Sequence, residues 1–115
     1  MARTQRQVAP EVEWVDRDRH FVVVTVLVDF VDDQSVLMHL SRTRVELTFQ
    51  GRPLHASPET DFVSYKLTLT PWAALSPGCS QIKIVDKMSI NKHIEIHLCK
   101  EQKQLRWVEL ESKEK

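Results

Sequence analysis

The fold is decided at Phe21-Val22-Val23-Val24-Thr25-Val26-Leu27-Val28, the longest apolar stretch of the 115-residue chain. Valine and threonine branch at Cβ, which stiffens χ1 and favours a pleated strand over a helix. Apolar side chains on both sides of this stretch predict a strand over 20–29 that is buried on both faces or covered at its edge. A membrane helix needs roughly 20 apolar residues, so this shorter stretch predicts no membrane span.

Alternation of apolar and polar side chains predicts the remaining strands. Val45, Leu47 and Phe49 fall on one face of a strand and the polar residues between them on the other, which is typical of a half-buried antiparallel strand. The same alternation predicts strands at 12–16, 35–40, 65–69, 82–84 and 94–98. We therefore predict an all-β fold, a seven- to eight-stranded antiparallel β-sandwich.

Breaks between these segments are marked by proline, glycine and small polar residues. We expect Gly51-Arg52-Pro53 to end the strand that begins near Val45, and a loop to follow over 52–61. Trp72–Leu75, which lies between two prolines, predicts a single helical turn.

Composition limits the classes of function that the chain can have. Sixteen Lys and Arg residues balance sixteen Asp and Glu residues, so no overall charge favours nucleic acid or an anionic membrane. Only two glycines are present, which argues against phosphate-binding loops. Residues 1–7 lack the apolar core of a secretory signal. We therefore expect a cytoplasmic domain in which Cys79 and Cys99 are reduced thiols rather than a disulfide.

A row of side chains at 93–99 is the sharpest candidate for chemistry. His93, Glu95, His97 and Cys99 are spaced two apart, so they share one face of a strand. Two histidines at this spacing, with Glu95 or Cys99 as a third ligand, match the donor types that bind zinc. A solvated polar strand face explains the same pattern more simply, because no fourth ligand is suggested elsewhere. Since no nucleophile motif occurs either, we expect neither an enzyme nor a cofactor.

Basic residues near the end of the chain are the nearest approach to a nucleic-acid stripe. Lys100, Lys103 and Arg106 precede Trp107, and such sites combine cations with aromatic rings. Three acidic residues interrupt the stripe: Glu101, Glu109 and Glu111. The pattern therefore favours a solvated, charged strand end over a nucleic-acid site.

The three tryptophans have two interpretations each. Trp14 and Trp107 suit the core or rim of a sandwich, because an indole combines a large apolar surface with one donor. Trp72, in a loop between prolines, fits equally well as an exposed binding anchor or as a lid packed over the end of the sandwich.

In order along the chain, these segments resemble the CS-domain family of the CHORD-containing and suppressor-of-G2-allele type. The resemblance rests on four segments: Trp14-Val15-Asp16-Arg17 before the long strand, the strand pair 36–49, the alternating strand 94–100, and Trp107-Val108-Glu109-Leu110. It covers residues 12–111, which leaves 1–11 as a flexible lead-in and 112–115 as a frayed C-terminus. The fold it implies is a CS-domain sandwich, of the small heat-shock-like kind.

The resemblance implies a protein-interaction module, namely a heat-shock protein 90 co-chaperone or client adaptor. It places the partner contact at Trp107, Leu110 and Lys113, with Arg106 as an electrostatic aid. Trp72 is a further candidate anchor because of its loop position alone, since the insert 71–78 has no counterpart in the family. Two alternatives stay open: a CS domain that docks on another domain of a larger assembly, and a small heat-shock-type holdase. The latter usually carries a C-terminal Ile-x-Ile/Val segment, which nothing after Leu110 supplies, so we expect a monomer.

Overall fold

The computed structural model describes residues 7–57, 59–87 and 91–112. Nine strands follow one another in these residues: β1 Gln7–Val8, β2 Val12–Asp16, β3 Phe21–Val26, β4 Phe30–Val31, β5 Leu37–Leu40, β6 Val45–Arg52, β7 Val63–Leu69, β8 Gln81–Lys87 and β9 Asn91–Cys99. The helical segments in the described residues are two 3-10 turns, Asp33–Ser35 and Pro77–Cys79. No helix among the described residues has the length and hydropathy to cross a bilayer.

The strands form two sheets. Sheet 1 has the order β1-β7-β6-β4, with β5 also paired to β6, and sheet 2 has the order β2-β3-β9-β8. All pairs are antiparallel apart from β1 with β7, where Gln7 and Val8 lie opposite Ser64 and Tyr65 in parallel register. The predicted all-β sandwich is confirmed, and two residues assigned to the lead-in are part of its first sheet.

Strand β3 lies inside sheet 2, between β2 and β9. Val22, Val24 and Val26 are fully buried on its inner face, and Val23 on the outer face is only 9% exposed. Burial on both faces is therefore confirmed, but the strand ends at Val26 rather than near 29. The chain leaves sheet 2 at this point, because β4 pairs with β6 in sheet 1.

Gly51 lies within β6, which continues to Arg52. The strand therefore ends inside the predicted break, Gly51-Arg52-Pro53. A Cβ atom at this position would collide with the backbone carbonyl oxygen of Phe30 on the neighbouring β4. Glycine is present here because the two backbones approach too closely for any side chain.

The core fills the space between the two sheets. Its largest fully buried members come from both sheets and from one loop: Phe49, Leu47, Leu75, Ile94, Ile96 and Leu98. Leu75 is the residue that comes from the loop, and the helical turn expected at Trp72–Leu75 is not formed there. That segment bends instead, the amide of Leu75 donates to the carbonyl of Arg42 at 2.8 Å, and the 3-10 turn follows at Pro77–Cys79.

Cys79 and Cys99 form a disulfide, so the expectation of two reduced thiols is wrong. The 3-10 turn before β8 places Cys79 beside the end of β9, with the two Cα atoms 5.7 Å apart. This distance lies inside the range that a disulfide spans. The sequence separation of 20 residues gave no sign of this proximity, since it depends on how β8 pairs with β9.

Candidate functional site

A groove of about 530 Å³ opens at one end of the sandwich, and we call it the basic groove. One wall is the turn 16–19, which joins β2 to β3, and the other is the loop 100–106, which follows β9. Its lining contains five cations, Arg17, Arg19, Lys100, Lys103 and Arg106. Among the described residues of the lining, two carboxylates accompany them, those of Asp16 and Asp18, so these residues together carry a net charge of three positive.

Lys100 holds the two walls of the basic groove together. Its side chain is 3% exposed, and Nζ donates to both carboxylate oxygens of Asp16, at 2.8 and 2.9 Å. The same ammonium donates to the carbonyl of Asp18 at 2.9 Å and to that of Leu105 at 3.0 Å. A buried ammonium needs such partners, because desolvation of an unpaired charge is very costly.

Asp16 is the anionic half of this network. Its Oδ2 also accepts a hydrogen bond from the Trp107 amide at 2.6 Å. Burial raises the pKa of Asp16, but hydrogen bonds from Lys100 and the Trp107 amide, with the charges of Lys100 and Arg106, outweigh burial and hold that pKa below its usual range. The carboxylate is therefore charged at neutral pH and compensates the charge of Lys100.

Asp18 shapes the turn that forms the first wall. Its Oδ1 accepts from the amides of His20 and Phe21 at 2.8 and 2.9 Å, which is the local bonding that favours aspartate in turns. These hydrogen bonds, with the one from Arg17, lower the pKa of Asp18. Arg17 bonds Asp18 at 3.1 Å and lies 4.9 Å from the centre of the Phe21 ring, so its guanidinium is already engaged.

Three further cations line the basic groove with different degrees of engagement. The Nζ of Lys103 lies 3.0 Å from the Sγ of Cys99, so the disulfide positions this lysine. Arg19 and Arg106 are exposed. Neither guanidinium has an ion-pair partner within the part of the chain that the structure describes.

The acidic residues that interrupt the basic stripe in the sequence do not line the groove. Glu101 points to the neighbouring turn, where its two oxygens accept from Arg42 at 2.7 and 2.9 Å. Glu111 accepts from the amide of Thr70 at 3.1 Å. The fold therefore separates these acids from the bases, and the sequence pattern alone hides the charge of the groove.

The residues expected to contact a partner occupy different environments. Trp107 is 3% exposed and belongs to the core, and its ring centre lies 6.3 Å from that of Trp72. Trp72 and Leu110 are half-buried and pack against the core, with the Trp72 amide donating to the carbonyl of Leu110 at 2.9 Å. Arg106 is exposed in the basic groove. Lys113 lies outside the described residues.

Sequence reasoning missed two residues at this site. Arg19 was not singled out, although its position in the turn between two predicted strands was a usable signal. Val108 is 67% exposed beside the groove loop and was treated only as part of a motif. The burial of Lys100 had no signal in the sequence, because a lysine after a strand is usually solvated.

His93, Glu95 and His97, which we call the His-Glu row, lie along β9 on the outer face of sheet 2. Glu95 lies between the two histidines, with one oxygen 3.1 Å from Nε2 of His97 and the other 3.5 Å from Nε2 of His93. Burial raises the pKa of Glu95, but hydrogen bonds with the two imidazoles outweigh it, so the pKa is lowered. Among the described residues, no group of three or more His, Cys, Asp and Glu side chains is arranged to hold a metal ion.

Comparisons with known proteins identify the fold and not the family. No protein-family model matches the chain, and no curated protein matches it by sequence. Among solved structures, it is similar to heat shock protein 16.0 from Schizosaccharomyces pombe, with a TM-score of 0.65 and 15% sequence identity. The similarity covers 93% of this chain and 100% of that chain. The fold is therefore a small heat-shock-like β-sandwich.

Proposed function

We propose that the chain is a protein-interaction module that acts without catalysis, as a co-chaperone or client adaptor of heat-shock protein 90. The observation that carries the proposal is a heat-shock-like sandwich whose end presents an accessible, charged groove. Binding energy in such modules comes from a few anchors within a modest interface.

The contact that we propose uses the exposed residues around the basic groove. Arg106 and Val108 are exposed on either side of the buried Trp107, so both side chains are accessible to a partner. Trp107 positions them through the hydrogen bond that its backbone amide donates to the carboxylate of Asp16. Leu110 and Lys113 remain in the proposed contact as the next positions along the same segment.

A titration of isotope-labelled protein with full-length heat-shock protein 90, read as per-residue amide shifts, tests this function. We expect shifts clustered around residues 104–110, and weaker binding by Arg106→Glu. The matched control is Lys83→Glu, which reverses an exposed cation on β8, away from the groove. If the folded protein shows no shift at saturating chaperone, the adaptor proposal is wrong.

A holdase is the second candidate, and the fold similarity is equally consistent with it. The whole of heat shock protein 16.0 is covered by the alignment with this chain. A holdase suppresses the aggregation of a heat-denatured test protein at near-stoichiometric ratios, and an assembled one elutes as an oligomer. We propose a monomer, so a monomeric light-scattering mass without aggregation suppression favours the adaptor. If the chain instead docks on a neighbouring domain of a larger assembly, we expect a monomer that neither shifts on addition of the chaperone nor suppresses aggregation.

We propose a cytoplasmic site of action, and the disulfide provides its test. Disulfides persist mainly in oxidising compartments and are rare in the cytosol outside redox-regulated proteins. Rapid alkylation of cellular protein followed by mass spectrometry would count the free thiols of Cys79 and Cys99. Because the structure joins the two cysteines, an intact disulfide in the cytoplasmic fraction would fit a redox-regulated cytoplasmic protein. Confinement of the disulfide-bonded protein to a membrane-enclosed fraction would refute the cytoplasmic proposal.

A further inference from the structure

We propose that the basic groove binds a carboxylate-rich peptide segment of the partner protein. This inference rests on the proposed function, because it specifies the chemistry that the interaction module recognises. Clusters of Arg and Lys are a recurring means of recognising acidic motifs in peptides. The groove concentrates a net charge of three positive in a chain whose formal net charge is zero.

The cations of the groove divide into structural and available charges. Lys100 is compensated by Asp16, and Arg17 by Asp18. Arg19 on one wall and Arg106 on the other are exposed, with no ion pair to any described residue. A guanidinium donates two parallel hydrogen bonds to a carboxylate, whereas a lysine ammonium acts as a point charge. Arg19 and Arg106 are therefore better suited than two lysines to bind acidic side chains.

The second wall is held in place before any ligand binds. Lys100 ties Leu105 to the first wall, and the two-pronged Arg42–Glu101 ion pair ties the start of the loop to the turn between β5 and β6. A loop that is already ordered does not add its ordering entropy to the cost of binding. The geometry therefore favours an extended segment lying between two fixed walls.

A peptide fits the lining better than a nucleic acid does. Sites for single strands combine cations with aromatic rings on which the bases stack, and none of the described residues that line the groove is aromatic. The carboxylates of Asp16 and Asp18 also line it, and they would repel a continuous run of phosphates. Discrete carboxylates that match Arg19 and Arg106 avoid that repulsion.

Fluorescence anisotropy with a short fluorescein-labelled Glu-Ser repeat peptide tests the inference, and the matched Gln-Ser peptide is the neutral control. We expect binding of the Glu-Ser peptide alone. The affinity should weaken as ionic strength rises from about 0.01 to about 0.15 M, which shortens the Debye length from about 30 to about 8 Å. The double variant Arg19→Glu/Arg106→Glu should bind at least about tenfold more weakly, since each reversal replaces an attraction by a repulsion.

Lys83→Glu is the charge-matched control, and it should bind like the wild type because Lys83 does not line the groove. Equal affinity for the two peptides, or an equal loss in the Lys83 variant, would overturn the inference. Tighter binding of an oligonucleotide of the same charge, lost in the double variant, would overturn it in favour of nucleic acid. Chaperone-induced shifts without peptide binding would refute the peptide alone, whereas peptide binding without such shifts would refute only the chaperone proposal.

Discussion

Lys100→Met should destabilise the protein strongly, because it removes one partner of a buried ion pair. Methionine keeps most of the length and the apolar stem of lysine but removes the ammonium, whose three N–H groups serve four oxygen atoms of Asp16, Asp18 and Leu105. Removal of one partner of a buried ion pair costs about 3–5 kcal/mol, because the other charge stays buried without compensation.

The expected cost lies at the lower end of this range. Asp16 keeps the amide hydrogen bond of Trp107 and is partly accessible to water, with 12% of its side chain exposed. We therefore expect a loss of about 3 kcal/mol in the free energy of unfolding. With a urea dependence of about 2 kcal/mol per M, the unfolding midpoint should fall by about 1.5 M.

Urea unfolding followed by tryptophan fluorescence measures this loss. The control Lys83→Met removes an exposed ammonium on β8 and should stay within about 0.5 kcal/mol of the wild type. In Asp16→Asn/Lys100→Met the two losses should overlap, so that the double variant is at least about 1.5 kcal/mol more stable than the sum of the single losses predicts. A Lys100→Met protein within about 1 kcal/mol of the wild type would refute the reasoning, because no buried ion pair is that weakly coupled after loss of one partner.

Three other perturbations test separate parts of the structure. Gly51→Ala should cost about 1–3 kcal/mol in chemical denaturation, since its Cβ meets the carbonyl of Phe30 and the strands must shift; an unchanged midpoint would show that β4 moves freely. Reduction of the Cys79–Cys99 disulfide, or Cys79→Ser/Cys99→Ser, should cost about 3 kcal/mol from the entropy of a loop of 20 residues, and equal stability with and without reductant would contradict the link. Folding lowers the pKa of Asp16. Its ionised form therefore stabilises the protein fully above about pH 4, and this stabilisation is lost as the pH falls through the lowered pKa of the folded protein. The stability gap between wild type and Asp16→Asn should therefore narrow in acid, and a gap that is constant down to pH 2 would assign the effect to another group.

The strands were predictable because alternation reports which face of a strand is buried. Val45, Leu47 and Phe49 alternate with polar residues, and all three are buried in β6. The break after Val26 was not predictable, since the apolar run continues through Leu27 and Val28 while the chain crosses to the other sheet. Local pattern gives the face of a strand but not the sheet that it joins.

The site was harder to predict because it depends on which residues the fold brings together. The sequence shows the basic residues of 100–106, but it also places acidic residues among them, so the positive charge of the groove could not be predicted. The structure removes Glu101 from the groove by pairing it with Arg42. Trp107 was predicted to be a contact residue, but it is buried in the core. The sequence does not separate these two roles, because an indole suits an interface and a core equally well. The disulfide required a Cα distance that no spacing of cysteines reveals.

The hydrogen bond from the Trp107 amide to Asp16 joins residues that are 91 positions apart. During synthesis, the β2–β3 turn leaves the ribosome long before its partner loop does. Asp16 therefore stays hydrated and without its partners until translation has passed residue 107. Contacts over such a sequence separation form only after the entropy of closing a long loop has been lost, and this slows folding. The groove is consequently absent from the nascent chain, and a cell cannot use it for recognition before the sandwich is nearly complete.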